Sequence, residues 1–228
     1  MIAERVAAVR ERIARAAERA SRSPGDVTLV AISKTHPAEA VRAAFAAGVR
    51  DFGENRVQEA EPKIASTADL GASWHLVGHL QSNKARKAAA LFGLIQSVDS
   101  LDLAQRLARV GAEVGRPVRV LFQVDLAGEE TKFGLAESDL LPALEGLRGK
   151  EGLRIEGLMV LPPWFDDPER ARPYFRRLRS LNDQAHAAGL LEGRHLSMGM
   201  SHDFEAAVEE GATIVRVGTA IFGERKAA

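Results

Sequence analysis

The chain reads VTLVAISKTHP at residues 27–37. Its first seven residues are uncharged and mostly apolar or β-branched, which is typical of a strand covered on both faces, as in a parallel sheet. Lys34 follows this strand, and Pro37 suits the first turn of a helix that would stop at Gly48. The segment therefore predicts a strand followed directly by a helix, which is the repeating unit of α/β proteins.

The same alternation of strand and helix continues along the rest of the chain. Further strand candidates lie at 50–53, 75–78, 94–98, 118–125, 155–160, 194–198 and 213–218. Eight βα units in 228 residues predict an α/β fold, a single (β/α)8 TIM-like barrel, with a doubly wound open sheet as the alternative. Ahead of the first strand, residues 1–20 predict an extra amphipathic helix whose apolar face carries Ile2, Val6, Val9, Ile13 and Ala17.

Length and composition limit the class of protein. The chain is 46% hydrophobic and 27% charged and has no Pro/Gly/Ser-rich linker, so we expect one globular domain over residues 1–228. Lys plus Arg and Asp plus Glu are both 31 and there is no cysteine, which argues against nucleic acid as a partner and excludes disulfides and thiolate metal sites. No apolar run approaches the about 20 residues of a membrane span and no secretion signal is visible, so we expect a cytoplasmic protein that binds no membrane.

Polar residues follow most of the predicted strands, and in a barrel these strand ends meet at one mouth. They include Lys34 after the first strand, Asn55 after the second, His79 after the third, Asp125 after the fifth, residues 197–201 after the seventh, and Gly218 and Thr219 after the eighth. Lys34 shares the side-chain parity of Val30 and Ile32, so its amine could point over the mouth. Such a lysine is commonly only a solubilising charge; the alternative is an amine whose lowered pKa lets it form a Schiff base with an aldehyde.

Two loops near the end of the chain have the composition of an anion site. Ser201 could cap a helix that begins near His202, and Gly218 and Thr219 lead into another short helix. Glycine, hydroxyl groups and helix N-termini all suit a phosphate, and loops after the last two strands of a barrel are where phosphate most often binds. Ordinary turn chemistry explains either loop alone, whereas the two together favour phosphate.

Arg216 alternates with Val215 and Val217, so its side chain should lie inside the barrel. A buried guanidinium must be paired, and an ion pair with Glu54 or Asp125 is at least as consistent with the sequence as a ligand contact. A reactive lysine, a phosphate loop and an interior arginine nevertheless converge on one kind of ligand, a phosphorylated aldehyde.

Five blocks of sequence carry a resemblance to a known family. They lie, in chain order, at residues 33–35, at 52–59, at 74–75 with 78–84, at 196–201 and at 216–223. Together they resemble the signature blocks of the pyridoxal phosphate homeostasis proteins. The resemblance runs from about Val27 to Glu224, and ordered blocks are far more specific than one short motif.

This resemblance implies a fold-type III pyridoxal phosphate barrel, similar to the N-terminal domain of alanine racemase. Lys34 matches the lysine that holds pyridoxal 5'-phosphate as a covalent aldimine, and Arg216 matches the arginine that faces the pyridine nitrogen. Ser201, Gly218 and Thr219 match phosphate contacts, while Asn55, His79, Ser197 and Met198 match positions that line the cofactor. Asp125 departs from the family pattern, because many members carry Asn there, and this puts one local hydrogen bond in doubt.

The implied function is a non-catalytic protein that binds pyridoxal phosphate and takes part in vitamin B6 homeostasis. We expect a monomer, no metal, and apo-enzymes that use pyridoxal phosphate as candidate acceptors. The alternatives are an amino-acid racemase or lyase that uses the cofactor, and a class I aldolase that uses Lys34 without a cofactor. Arg216 would leave the pyridine nitrogen unprotonated and so weaken it as an electron sink. Racemases of this fold add a tyrosine base from a second domain, whereas this chain ends soon after its eighth predicted strand and its single tyrosine is Tyr174.

Overall fold

The structure is a computed structural model that describes residues 1–128 and 133–224. Its strands are β1 (Thr28–Ile32), β2 (Asp51–Glu54), β3 (Ser73–Leu76), β4 (Leu94–Val98), β5 (Val118–Asp125), β6 (Leu135–Ala136), β7 (Leu153–Val160), β8 (His195–Met200) and β9 (Ile214–Val217). All pair in parallel, and the sheet closes because β4 pairs with β5 while β1 pairs with both β2 and β9. The predicted eight-stranded barrel is confirmed, and the alternative of an open sheet is wrong. The two-residue β6 is an addition, paired with the end of β5 at Val124 and Asp125.

Helices surround the barrel, and each predicted strand is followed by helical structure of some length. They are α1 (Ile2–Arg19), α2 (Ala38–Ala46), α3 (Val57–Ser66), α4 (Ala85–Leu91), α5 (Leu101–Val114), α6 (Glu137–Glu145), α7 (Arg172–Ala187), α8 (Phe204–Glu209) and α9 (Thr219–Phe222). The extra N-terminal helix α1 is present, as predicted; it packs against α2, α8 and α9 and buries Val6, Val9, Ile13 and Ala17. Within the described residues, no helix combines the length and the apolar character needed to cross a membrane.

Alternation along the strands divides the core into two parts. Outward side chains such as Phe52, Phe122 and Leu158 are fully buried against the helices. Inward side chains form a smaller cluster inside the barrel, composed of Val30, Ile32, Val77, Leu94, Leu121, Met159 and Ile214. Because burial of each large apolar side chain contributes about 1.5–3 kcal/mol, the outer layer supplies most of the stabilisation. The same alternation decides which side chains point into the barrel interior and towards its mouth.

The third strand differs from its sequence-based prediction at 75–78 and lies at Ser73–Leu76. Gly78, which the prediction placed in the strand, instead lies where the chain passes very close to the end of β2. A Cβ atom at Gly78 would lie 2.4 Å from the carbonyl oxygen of Asn55, so only glycine fits this approach. The crossing belongs to the loop at the mouth, and the strand therefore ends before it.

Candidate functional site

Lys34 lies at the mouth of the barrel, directly after β1. Val30 and Ile32 point into the interior cluster, and the same alternation turns the partly buried Lys34 inward as the strand ends. Thr35, the next residue, has a φ of +66°, in the left-handed region that a β-branched residue rarely adopts. Such a conformation costs about 1–2 kcal/mol, so the surrounding structure must hold the turn in place.

A buried ion pair anchors the backbone just ahead of Lys34. Lys63 on α3 places its Nζ 2.5 Å from Oε1 of Glu54 and 2.7 Å from the carbonyl oxygen of Ser33. The Ser33 hydroxyl donates to the same Glu54 oxygen at 2.6 Å. Glu54 is fully buried and the Lys63 side chain is only 10% exposed. The end of β1 is therefore fixed from its outer side by residues of β2 and α3.

Replacement of Lys63 by methionine should destabilise the protein by about 3 kcal/mol, because it leaves the buried carboxylate of Glu54 without its counter-ion. The double variant Lys63→Met/Glu54→Gln should recover most of this loss, since it removes the buried charge as well. Urea unfolding of the two variants and the wild type measures both effects. A double variant no more stable than Lys63→Met would show that the charge of Glu54 is not the cause.

Arg216 lies on β9 inside the barrel and is 4% exposed. Its Nη1 donates to the hydroxyl of Ser197, and its Nη2 donates to the carbonyl oxygen of Val160 at 2.9 Å. Burial lowers the pKa of Arg216 to about 10, against an opposing influence from the carboxylate of Asp203. The guanidinium therefore stays charged at neutral pH and is held at the mouth by neutral oxygen atoms.

Neither acidic partner that the sequence suggested for Arg216 forms that ion pair. Glu54 points outward, towards Lys63, because its parity on β2 is that of the outer layer. Asp125 accepts from the backbone N–H groups of Ala127 and Gly128, each at 3.0 Å, and so closes its own turn. Within residues 1–128 and 133–224, the prediction of an ion pair between Arg216 and Glu54 or Asp125 is wrong.

The loops that follow β8 and β9 meet through a side chain. The hydroxyl of Ser201 accepts from the backbone N–H groups of Gly218 at 3.2 Å and Ala220 at 3.3 Å. Ser201 does not cap the helix near His202 as predicted; α8 begins at Phe204, and its N-cap residue is Asp203. The hydroxyl instead joins the two loops at the start of α9, where Gly218 and the exposed Thr219 lie. The predicted phosphate residues are thus brought together.

Asp203 is a residue that sequence reasoning did not single out. Its Oδ1 accepts from the backbone N–H of Met200 at 2.6 Å, which fixes the turn after β8. Burial raises the pKa of Asp203, while the backbone hydrogen bond and the nearby Arg216 act in the opposite direction. An Asp directly before the first apolar residue of a helix, here Phe204, is a start signal that could have identified it.

The remaining predicted site residues differ in how closely they approach Arg216. Ser197 contacts Arg216 directly and is fully buried, whereas Met198, also fully buried, belongs to the apolar layer between the strands and the helices. Asn55 follows β2 and is partly buried. His79 lies at the outer edge of the mouth, where its Nδ1 is 2.6 Å from Oδ2 of Asp99 and its ring stacks on Phe133 with centroids 3.8 Å apart.

The described part of the chain contains no group of three or more His, Asp or Glu side chains placed to hold a metal ion. Among the described residues, the polar groups around Arg216 include the amine of Lys34, hydroxyl groups and backbone N–H groups. Such a set suits an anionic ligand with a carbonyl carbon that the amine can reach. Three further residues that sequence reasoning missed, Asp51, His75 and Gln96, connect to it from deeper in the barrel.

Comparison with known proteins places this arrangement among its relatives. The family model of the alanine racemase N-terminal domain matches residues 5–226. The pyridoxal phosphate homeostasis protein of Aquifex aeolicus is 43% identical over 223 residues, which cover 98% of this chain and 98% of that protein. The protein of the same name from Pseudomonas aeruginosa is 47% identical over 224 residues, covering 98% of this chain and 96% of the relative.

Solved structures show the same architecture. PipY of Synechococcus elongatus, solved with PLP bound, is 44% identical and superposes with a TM-score of 0.87 over 98% of this chain and 100% of PipY. The alanine racemase of Streptomyces coelicolor shares the fold at 20% identity with a TM-score of 0.69, over 96% of this chain and 58% of the racemase. The match thus extends over the whole of PipY but over little more than half of the racemase.

Proposed function

The chain belongs to the alanine racemase N-terminal domain family and, within it, to the pyridoxal phosphate homeostasis proteins, and from this membership we propose that it binds pyridoxal 5'-phosphate at the barrel mouth. Its role is then to hold the cofactor within cellular vitamin B6 homeostasis. PipY, a relative of nearly equal length, has been solved with PLP bound.

The observation that carries this proposal is the pairing of β1 with β9. Val30 of β1 lies opposite Arg216 of β9, so the two strands bring Lys34 and Gly218 to the same side of the mouth. Gly218 packs closely against β1. A Cβ atom at this position would lie only 3.4 Å from the carbonyl oxygen of Ile32. An amine, a buried cation and a set of N–H and hydroxyl groups for a phosphate therefore occupy one place, and they fit pyridoxal phosphate.

Each predicted residue then has a role in binding. The Lys34 amine attacks the aldehyde carbon, and loss of water gives a covalent aldimine. Arg216 donates a hydrogen bond to the pyridine nitrogen, and Ser201, Gly218 and Thr219 bind the phosphate. The remaining residues line the cofactor: Asn55, His79 and Ser197 with their side chains, and Met198 with its backbone, since its side chain is buried in the outer layer.

We further propose that the protein is a carrier and not a catalyst. A guanidinium only donates hydrogen bonds, so Arg216 keeps the pyridine nitrogen unprotonated and limits the ring as an electron sink. Tyr174, the only tyrosine in the sequence, lies on α7 with its ring centroid 6.0 Å from that of Phe165. The proposal includes a cytoplasmic monomer that passes the cofactor to apo-enzymes which use pyridoxal phosphate.

Titration of the purified protein with pyridoxal phosphate tests binding. We expect one cofactor per chain, an aldimine absorption band, and, after reduction with borohydride, a stable adduct on the peptide that carries Lys34. A protein that shows neither band nor adduct at saturating cofactor would contradict the proposal and would favour the aldolase alternative.

Exchange of α-deuterium distinguishes a carrier from a racemase. The loaded protein is incubated with α-deuterated amino acids, and mass spectrometry follows loss of the label, with an alanine racemase as positive control. We expect the label to be retained. Loss of deuterium from any common amino acid at catalytic turnover would establish an enzyme and overturn the carrier role.

A further inference from the structure

A continuous row of hydrogen bonds crosses the interior of the barrel from β2 to β9, and we call it the interior relay. Its five members, one on each of five strands, are Asp51 on β2, His75 on β3, Gln96 on β4, Ser197 on β8 and Arg216 on β9. His75 Nε2 lies 3.1 Å from Asp51 Oδ1, Gln96 Nε2 lies 2.8 Å from His75 Nδ1, and the Ser197 hydroxyl lies 2.6 Å from Gln96 Oε1. Arg216 Nη1 completes the row at Ser197.

The relay has one direction. Arg216 can only donate, so the Ser197 oxygen accepts from it and the Ser197 hydroxyl hydrogen is directed to Gln96 Oε1. The amide nitrogen of Gln96 must then face His75, which makes Nδ1 of His75 an acceptor. The N–H of His75 is then on Nε2 and donates towards Asp51.

The members of the relay are too deeply buried to be a surface feature. Gln96 and Ser197 are fully buried, His75 is 5% exposed and Arg216 is 4% exposed. Only Asp51, at the amino-terminal end of the barrel, reaches solvent appreciably, with 27% of its side chain exposed. Polar side chains inside a barrel add less stability than apolar ones of the same volume, such as those of the inward cluster around Val30 and Met159. Stability alone does not account for the row.

From this geometry we propose that Gln96 and His75 are positioning residues for the cofactor, acting through Ser197 to hold the guanidinium of Arg216 in the orientation that meets the pyridine nitrogen. This inference rests on the proposed binding of pyridoxal phosphate. Ser197 and Val160 each accept a hydrogen bond from one N–H of Arg216. When Ser197 is held in place, the remaining N–H groups of the planar guanidinium point in a defined direction. Gln96 fixes Ser197 from the opposite wall of the barrel.

The variant Gln96→Met tests the relay, because methionine has a similar length and volume but makes neither hydrogen bond. We expect the dissociation constant for pyridoxal phosphate to rise about tenfold, as is typical when buried hydrogen bonds are lost at a charged group. Asn182→Leu is the matched control: it also replaces a buried amide with an apolar side chain, but on α7, outside the relay. Its dissociation constant should stay at the wild-type value.

A second variant changes a member of the relay that does not contact Arg216. His75→Phe keeps a ring of similar size at the far end of the relay from Arg216, and we expect it to weaken cofactor binding about three- to fivefold. This variant also keeps the test open if Gln96→Met does not fold, which thermal unfolding of each variant reports. Wild-type affinity in whichever of the two variants is folded, within a factor of two, would overturn the proposal.

Nitrogen NMR of the histidine rings gives a readout that needs no cofactor. In the unliganded wild-type protein, we expect His75 resonances that report a proton on Nε2 and none on Nδ1, and we expect this preference to be lost in Gln96→Met. A proton on Nδ1 of His75 in the wild type would overturn the relay. If the wild type fails to bind pyridoxal phosphate, the proposed function fails by itself, because the tautomer is measured without it.

Discussion

Lys34→Ala should abolish covalent attachment of pyridoxal phosphate, because the amine that bonds to the aldehyde carbon is lost. The phosphate and pyridine contacts remain, so we expect binding to weaken by about two orders of magnitude or more without being abolished. Borohydride reduction followed by mass spectrometry should find no adduct on the variant. Fluorescence titration should find the residual, non-covalent affinity. The fold should be unaffected, since Lys34 lies after β1 and is only partly buried.

Two further variants test whether the effect depends on the position of the lysine and on the positive charge at residue 34. Lys84→Ala removes another lysine that follows a barrel strand, near the start of α4, and should retain full binding and the adduct. Lys34→Arg keeps the positive charge but has no amine to condense with the aldehyde, so it should behave like Lys34→Ala in the reduction assay. A reducible adduct on either Lys34 variant would mean that a different lysine carries the cofactor.

Arg216→Met should make the protein more stable and a weaker binder of pyridoxal phosphate. The pKa of Arg216, lowered by burial to about 10, means that the folded state disfavours the charged side chain. The difference from the ordinary value corresponds to about 3 kcal/mol. Loss of the hydrogen bonds to Ser197 and Val160 costs about 2 kcal/mol in the other direction, so we expect a net gain of about 1 kcal/mol in the free energy of unfolding. Cofactor affinity should fall by about tenfold to a hundredfold, because a charge-assisted hydrogen bond is lost.

Arg119→Met is the matched control, since Arg119 also points into the barrel but at its amino-terminal end. Its guanidinium makes two hydrogen bonds of 2.8 Å to Glu156, whose side chain is 5% exposed. Removal of this partner should destabilise the protein and leave cofactor binding unchanged, the opposite of Arg216→Met in both respects. Urea unfolding in the absence of cofactor and fluorescence titration measure the two quantities. A loss of stability in Arg216→Met would show that its charge is better solvated than its burial indicates.

Local sequence was sufficient to predict the architecture and much of the mouth. Alternation in the first strand identifies Val30 and Ile32 as inward residues, and Lys34 follows with the same parity. Such patterns depend only on neighbours along the chain, and the barrel follows from their repetition. The strand boundary near Gly78 was wrong because the close approach to Asn55 depends on two separate segments.

Partners across the barrel could not be predicted in the same way. Whether Arg216 meets Glu54, Asp125 or Ser197 depends on strand register and closure, and parity on β2 turns Glu54 outward to Lys63. The partner of Gln96 could not be predicted from local sequence either. A glutamine inside the run Leu94–Val98 is a visible anomaly in an apolar strand, but its partner Ser197 lies on the far wall.

The pairing of β1 with β9 also sets when the site can exist during synthesis of the chain. Lys34 leaves the ribosome early and Arg216 late, because the two lie on the first and last strands. A nascent chain can expose the amine for most of its translation without any cradle for the phosphate. Under the proposed function, capture of the cofactor follows closure of the barrel, and the ligand stabilises the finished fold rather than guiding its assembly.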